Sequence, residues 1–307
     1  MRIIVACAFS LLPALCAATS TQGLPAVAAS GLSEYGIEGM GVVSTRADEG
    51  RASVGADGRR IVWAAAGREG GAGGSDLWQA TLHDGRWQDP VPLAINSPAD
   101  DADPAFDPDG RWLYFSSNRE GGRGGHDLYR ARVLAGGGFG VVEHLGGTLN
   151  TSGDERAPMP GPDGNLLLFA SDGHGGEGGL DLLSARRDDD DFAEPRALPG
   201  TVNTIADETD PAWLADGATL VFSRGNAATS QVRVAHCDGS AYAGDAALEL
   251  SFNTADARTF APVPDGHKPG ELLVAGTARA PRAGGTDLYR TVSPKAAGRA
   301  GCLDEGR

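Results

Sequence analysis

The feature that most narrows what this chain can fold into is a unit of about fifty residues that occurs five times. Its clearest copy runs from Asp103 to Arg130, DPAFDPDGRWLYFSSNREGGRGGHDLYR. DPDG at Asp107 to Gly110 reads as a β-turn, with proline presetting φ and glycine supplying a positive φ. The run Trp112-Leu113-Tyr114-Phe115 is apolar on both faces, which suits a strand covered on both sides. EGGRGG then interrupts the strand, and HDLYRARV alternates again. The unit is a β-hairpin with chemistry in its loops.

The other copies are GADGRRIVWAAAGREGGAGGSDLWQA around Asp57, GPDGNLLLFASDGHGGEGGLDLLSA around Asp163, LADGATLVFSRGNAATSQVRVA around Asp216 and VPDGHKPGELLVAGTARAPRAGGTDLYRT around Asp265. The turn aspartates Asp57, Asp109, Asp163, Asp216 and Asp265 stand 49 to 54 residues apart. A period near fifty with about four strands per period is the mark of a β-propeller. A second marker keeps the same step: Asn96-Ser97, Asn150-Thr151, Asn203-Thr204 and Asn253-Thr254 each precede an acidic residue and the next repeat. The expected fold is all-β, a five-bladed β-propeller over residues 43–294, with a tail at 295–307. A six-bladed ring is the alternative, should residues 19–42 supply more than one strand.

The phrase P-x-F-x-P-D-G-x-x-L-Y-F-S-S-N-R, carried by Pro104 to Arg119, resembles the TolB-like "Pro-Asp" variant of the WD-type propeller repeat. With GGxGGxDLY and the N-[ST]-x-x-D-E connector added, residues 43–292 are similar to five-bladed propellers of periplasmic and outer-membrane-associated bacterial proteins. Some of those carry a fused OmpA-like domain that binds peptidoglycan. No such domain is expected with this propeller, and envelope attachment is expected to come through a protein partner or not at all. The resemblance implies a binding or scaffolding module, and a fold hosts many functions, so activity has to be argued from the site.

Residues 1–18 hold one cation, Arg2, then an apolar stretch from Ile3 to Leu15 and small residues after it, the pattern of a secretory signal peptide too short to span a membrane. Leu15 is bulky where a lipoprotein signal needs a small residue before its cysteine, which disfavours a lipid anchor at Cys16. Residues 19–42 read as a linker with a ring-closing strand. VSTRADEGRASVGADG at Val43 parallels LNTSGDERAPMPGPDG at Leu149, so the chain enters the ring with the connector of a blade that has no other beginning. The last repeat stops after DLYRTVS with no fourth strand, which the segment before Ser44 would supply. The expected location is the periplasm or outside the cell. Cys237 and Cys302 remain after removal of the signal; they form either a disulfide tying the tail to the fourth repeat or a buried thiol and a loose one.

A net charge of −15 disfavours nucleic acid and anionic membrane surfaces as partners, because neutralising phosphates needs clustered Lys and Arg. An envelope protein or peptide is the expected partner, the chain itself being monomeric and not membrane-spanning. No cofactor is expected. The cysteines lack zinc-site spacing, and GGRGGHD and GGEGGLD depart from the nine-residue calcium coil by one extra residue and by their fifty-residue recurrence.

Propeller strands run from the axis outward, so connectors between blades share a face with the loops between second and third strands. Two loop sets therefore meet: connectors with Asp48-Glu49, Asp100-Asp101, Asp154-Glu155, Asp207-Glu208 and Asp256, and glycine loops with Arg68-Glu69, Asn118-Arg119-Glu120, Asp172 and Arg224. The connectors enter the innermost strands, which puts their carboxylates around the channel mouth. Each acid could accept hydrogen bonds from connector amides or pair with a glycine-loop arginine. The ring could instead bind a cation or a cationic peptide. Asp76, Asp127, Asp181 and Asp287, at the ends of the glycine loops, are expected to cap loop amides. A hydrolytic, carbohydrate-active propeller using rim carboxylates is the remaining alternative, but it needs two singular acids in different roles, and the acidic positions recur by repetition. The chain has no G-x-S-x-G elbow. A non-catalytic module is the expectation.

Overall fold

The computed structural model describes residues 34–278 and 281–303. The expected signal peptide and the anchor question at Cys16 lie outside the described residues.

Five antiparallel sheets form the blades, each written from its innermost strand outward. Blade 1 is β2 (Asp48–Val54), β3 (Arg60–Ala66), β4 (Ser75–His83) and β5 (Arg86–Pro92). Blade 2 is β6 (Asp101–Phe106), β7 (Trp112–Ser117), β8 (Asp127–Val133) and β9 (Phe139–His144). Blade 3 is β10 (Glu155–Pro160), β11 (Leu166–Ser171) and β12 (Asp181–Asp188), its outer edge completed by the short β13 (Asp191–Phe192) and β14 (Arg196–Ala197). Blade 4 is β15 (Asp207–Trp213), β16 (Thr219–Gly225), β17 (Ser230–Cys237) and β18 (Tyr242–Ala247). Blade 5 is β19 (Thr259–Pro264), β20 (Glu271–Gly276), β21 (Asp287–Val292) and, from the other end of the chain, β1 (Glu34–Ile37). The innermost strands touch in the cycle β2, β6, β10, β15, β19 and back to β2, which closes a five-bladed ring.

The doubly apolar second strands explain the ring. Along β7, Leu113 and Phe115 point into the seam with blade 1, while Tyr114 points into the seam with blade 3. Along β11, Leu167 and Phe169 face blade 2, and Leu168 and Ala170 face blade 4. A period of two thus serves two neighbours at once. Each of the five seams holds its own cluster of buried residues. Trp78, at the position of Tyr129, is 5% exposed, with Arg68 lying over its ring 4.3 Å away.

The asparagine marker acquires a physical role. Asn96 accepts from the Leu77 amide and donates to the Leu77 carbonyl, both at 3.0 Å, imitating one rung of a β-ladder with the third strand. Asn150, Asn203 and Asn253 do the same to Leu128, Leu182 and Val232. In blade 5 the hydroxyl of Ser44 takes both roles toward Leu288. Cys237 and Cys302 form a disulfide, and the tail backbone adds bonds from Arg299 to the Cys237 carbonyl and from Gly298 to Asp216.

Candidate functional site

The connectors deliver two adjacent acids to each of four blades, and strand alternation sends them to opposite fates. The first acid of each pair, Asp48, Asp100, Asp154 and Asp207, stands at the channel rim. Its Oδ1 accepts the amide that ends the preceding blade's glycine loop: Thr286 at 3.0 Å, Ser75 at 2.8 Å, His126 at 2.8 Å and Leu180 at 3.2 Å. The approach is close enough that a Cβ on Gly74 or Gly179 would collide with the Asp100 or Asp207 carboxylate, which accounts for the second glycine pair of the loop. Asn118, exposed, accepts from the Asp100 amide and donates to its Oδ2.

In blade 5 this position belongs to Arg258, not to Asp256, which lies two residues earlier in the connector. There the Ser230 amide bonds to the backbone carbonyl of Ala257 instead, and the Arg258 guanidinium lies 4.0 Å over the Phe260 ring. The ring is therefore four carboxylates and one cation.

The second acids, Glu49, Asp101, Glu155 and Glu208, are fully buried. Each accepts the amide and the hydroxyl of the Ser or Thr four residues earlier, as Glu155 does from Thr151 at 2.8 and 2.6 Å. Arg119 ion-pairs with Asp101, and Arg224 with Glu208 at 2.6 Å. Glu155 takes Ser171 Oγ instead. Burial pushes the Glu49 carboxyl up to about 7, the Thr45 bonds offsetting it only in part. Burial also raises Glu208. Asp76, Asp127, Asp181 and Asp287 are buried and accept glycine-loop amides, among them Ala72, Arg123, Glu177 and Ala283. Gln231, in the same place in blade 4, donates to the Asn253 carbonyl.

Below the rim lies a group that the repeat pattern conceals. Each innermost strand bulges at its entry, and the bulge carries Arg51, Asp103, Ala157, Asp210 or Ala261 toward the axis. Asp103 and Asp210 adopt φ of 56° and 53° there, a strained region for a residue with a Cβ. Arg51 is buried, with Nη1 3.6 Å from Asp210 Oδ1 and Nη2 donating to the Pro211 carbonyl at 3.2 Å. Burial lowers its pKa, and the charges of Asp210 and Asp103 resist that shift. Asp103 also accepts from Ser116 Oγ at 2.6 Å, and Asp210 from the Ala261 amide at 3.2 Å. These two acids hold one repeat position in blades 2 and 4, where blades 3 and 5 have alanine and blade 1 arginine. The visible signal was D-P in two repeats where two others read A-P.

Rim and floor together line two adjoining cavities of about 330 and 280 Å³ that share Asp103, Arg156, Arg258 and Phe260. They make a funnel on the connector face. Arg156 Nη2 is 2.7 Å from His126 Nδ1, itself 3.0 Å from Asp154 Oδ1. Burial opposes ionisation of Asp154, but the His126 amide and the Arg156 charge outweigh it and hold the carboxyl below its ordinary value. Among the described residues no group of three or more His, Cys, Asp or Glu is placed to hold a metal, and no helix is long and apolar enough to cross a membrane.

No family model matches the chain, and no curated protein does. Solved structures do. TolB from Acinetobacter baumannii matches at 14% identity and a TM-score of 0.47, over 81% of this chain and 55% of that one. The putative TolB from Agrobacterium tumefaciens matches at 16% and 0.49, over 83% and 78%. A thermostable family-43 glycoside hydrolase matches at 11% and 0.54, over 86% and 98%. This chain thus spans about half of the Acinetobacter protein, and the likeness to the hydrolase is one of fold.

Proposed function

We propose that the protein is an exported, non-catalytic binding or scaffolding propeller of the bacterial periplasm or cell envelope, which engages a protein or peptide partner through its acidic connector face. The observation that carries this reading is the anchored rim. Asp48, Asp100, Asp154 and Asp207 each have one oxygen fixed by a neighbouring blade's amide, so their negative charge is held in place before any ligand arrives. A funnel of a few hundred cubic ångströms suits a basic side chain or chain segment, not a folded domain. The disulfide supports an oxidising compartment, as does the apolar N-terminal sequence.

The test is fluorescence anisotropy with labelled basic and acidic peptides of equal length, at low and raised salt. Basic peptides should bind and weaken with salt, and acidic ones should not bind. Equal binding of both would remove the electrostatic basis of the proposal.

A second reading, a carbohydrate-active or other hydrolytic enzyme, draws on Asp103 and Asp210, the paired acids at the funnel floor. Both face one guanidinium, Arg51, which ties them to each other's charge balance instead of leaving one as a free acid. Release of reducing ends from a glycan panel, lost in Asp103→Asn, would favour the enzyme over the binding module.

A further inference from the structure

The funnel is not uniformly acidic, and two of its cations are gathered in one place. Arg156 and Arg258 belong to the boundary that the two lobes share, whereas Asp48 and Asp100 line one lobe and Asp154 and Asp207 the other. A ligand that fills the funnel therefore meets negative charge on either side and positive charge at the waist.

Arg258 departs from the ring for a structural reason. In the other four blades the residue at this position is an aspartate whose carboxylate accepts the amide that ends the preceding glycine loop. In blade 5 the Ser230 amide takes the Ala257 carbonyl, which releases the Arg258 side chain from that role. Arg258 is half-buried, its guanidinium held 4.0 Å over the Phe260 ring, and among the described residues it has no carboxylate partner. A guanidinium stacked on a ring keeps the N–H groups of its edge open to an acceptor.

At the floor, Arg51 is buried and lines the lobe of Asp48 and Asp100. Its Nε and Nη1 have no hydrogen-bond partner among the described residues, the nearest Asp210 oxygen standing 3.6 Å from Nη1. Unpaired donors on a buried charged group are costly, so the floor favours an acceptor brought from outside the fold. Asp103, the acid of the shared boundary, is already engaged by the wall: its Oδ2 accepts from Ser116 Oγ at 2.6 Å and from the Ala157 amide at 3.3 Å.

We infer, resting on the binding face proposed above, that the funnel receives the end of a peptide chain. The C-terminal carboxylate sits at the waist on Arg258 and Arg156, with the open donors of Arg51 beneath it, and basic side chains of the last residues lie in the acidic lobes. Lobes of about 330 and 280 Å³ admit side chains on both sides of that carboxylate.

The experiment compares two N-terminally labelled hexapeptides of one sequence ending in Lys-Lys, one with a free C-terminal carboxylate and one with a C-terminal amide, by fluorescence anisotropy. An acidic funnel acting through charge alone would prefer the amide, the more positive peptide. A waist built for a carboxylate reverses this, and the free acid should bind about tenfold more tightly. Arg258→Gln should abolish the preference, Arg258→Lys should keep part of it, and Arg258→Asp, which completes the acidic ring, should turn it toward the amide. Free lysine should compete far less well than the unlabelled free-acid peptide. Equal binding of the two peptides, or tighter binding of the amide, would overturn the inference and leave the acidic rim standing as a binding site. Failure of both peptides to bind would overturn the two together. A preference that survives Arg258→Gln would also overturn the inference, as would lysine competing as well as the peptide, since the site would then belong to a free amino acid.

Discussion

Asp154 and Glu155 are neighbours in sequence, yet one belongs to a rim that faces solvent and the other to a buried wall. Asp154 is about one-third exposed on its side chain and shares its charge with His126 and Arg156. Glu155 has no exposure and gives its oxygens to Thr151 and Ser171. The same division repeats at Asp48-Glu49, Asp100-Asp101 and Asp207-Glu208. The lesson is that a doubled acid in every blade is two devices: a rigid connector underneath, and on top of it a charge held ready for a ligand.

The comparison extends downward to Arg51, where the largest effect is expected. Arg51→Met leaves Asp103 and Asp210 without their shared counter-charge and should cost about 3–5 kcal/mol in chemical denaturation. Adding Asp210→Asn should restore part of that stability. A loss below about 1 kcal/mol would mean the floor is solvated and belongs with the rim.

Next is the pH dependence of the wall. Because Glu49 titrates near 7 when folded and near its ordinary 4.5 when unfolded, the folded state holds the extra proton between those values. Stability from this group is therefore lost as pH rises from 4.5 to 7, by roughly 3 kcal/mol at most. Glu49→Gln should flatten that part of the stability–pH curve; an unchanged curve would remove Glu49 from the explanation.

Glu155→Ala strands three donors and should cost about 2–3 kcal/mol. On the rim, Asp207→Asn keeps an acceptor for the Leu180 amide and should cost less than about 1 kcal/mol. If these two variants melted alike, the division into wall and rim would fail.

The ring was legible in the sequence because turn, strand and connector recur with one period, and because Leu113 and Tyr114 must each find a different neighbour. The pairing of acids with connector amides was readable as one of several possibilities, since Ser or Thr four residues before an acid is a local signal. The floor was not readable. Arg51, Asp103 and Asp210 come from three blades and meet only because bulges turn them to the axis, a convergence that local spacing does not encode. The fifth ring position is hidden for a related reason: its connector has one acid, Asp256, two residues before the position that the strand register gives to Arg258.

The most direct test of the central claim measures one labelled basic peptide against two variants, Asp100→Asn/Asp207→Asn on the rim and Glu155→Gln in the wall, with melting followed in parallel. The account predicts that the rim variant loses at least about tenfold in affinity with little change in melting temperature, while the wall variant melts lower and, where still folded, binds as the parent does. A rim variant with parental affinity, or a folded wall variant that loses binding equally, would contradict it.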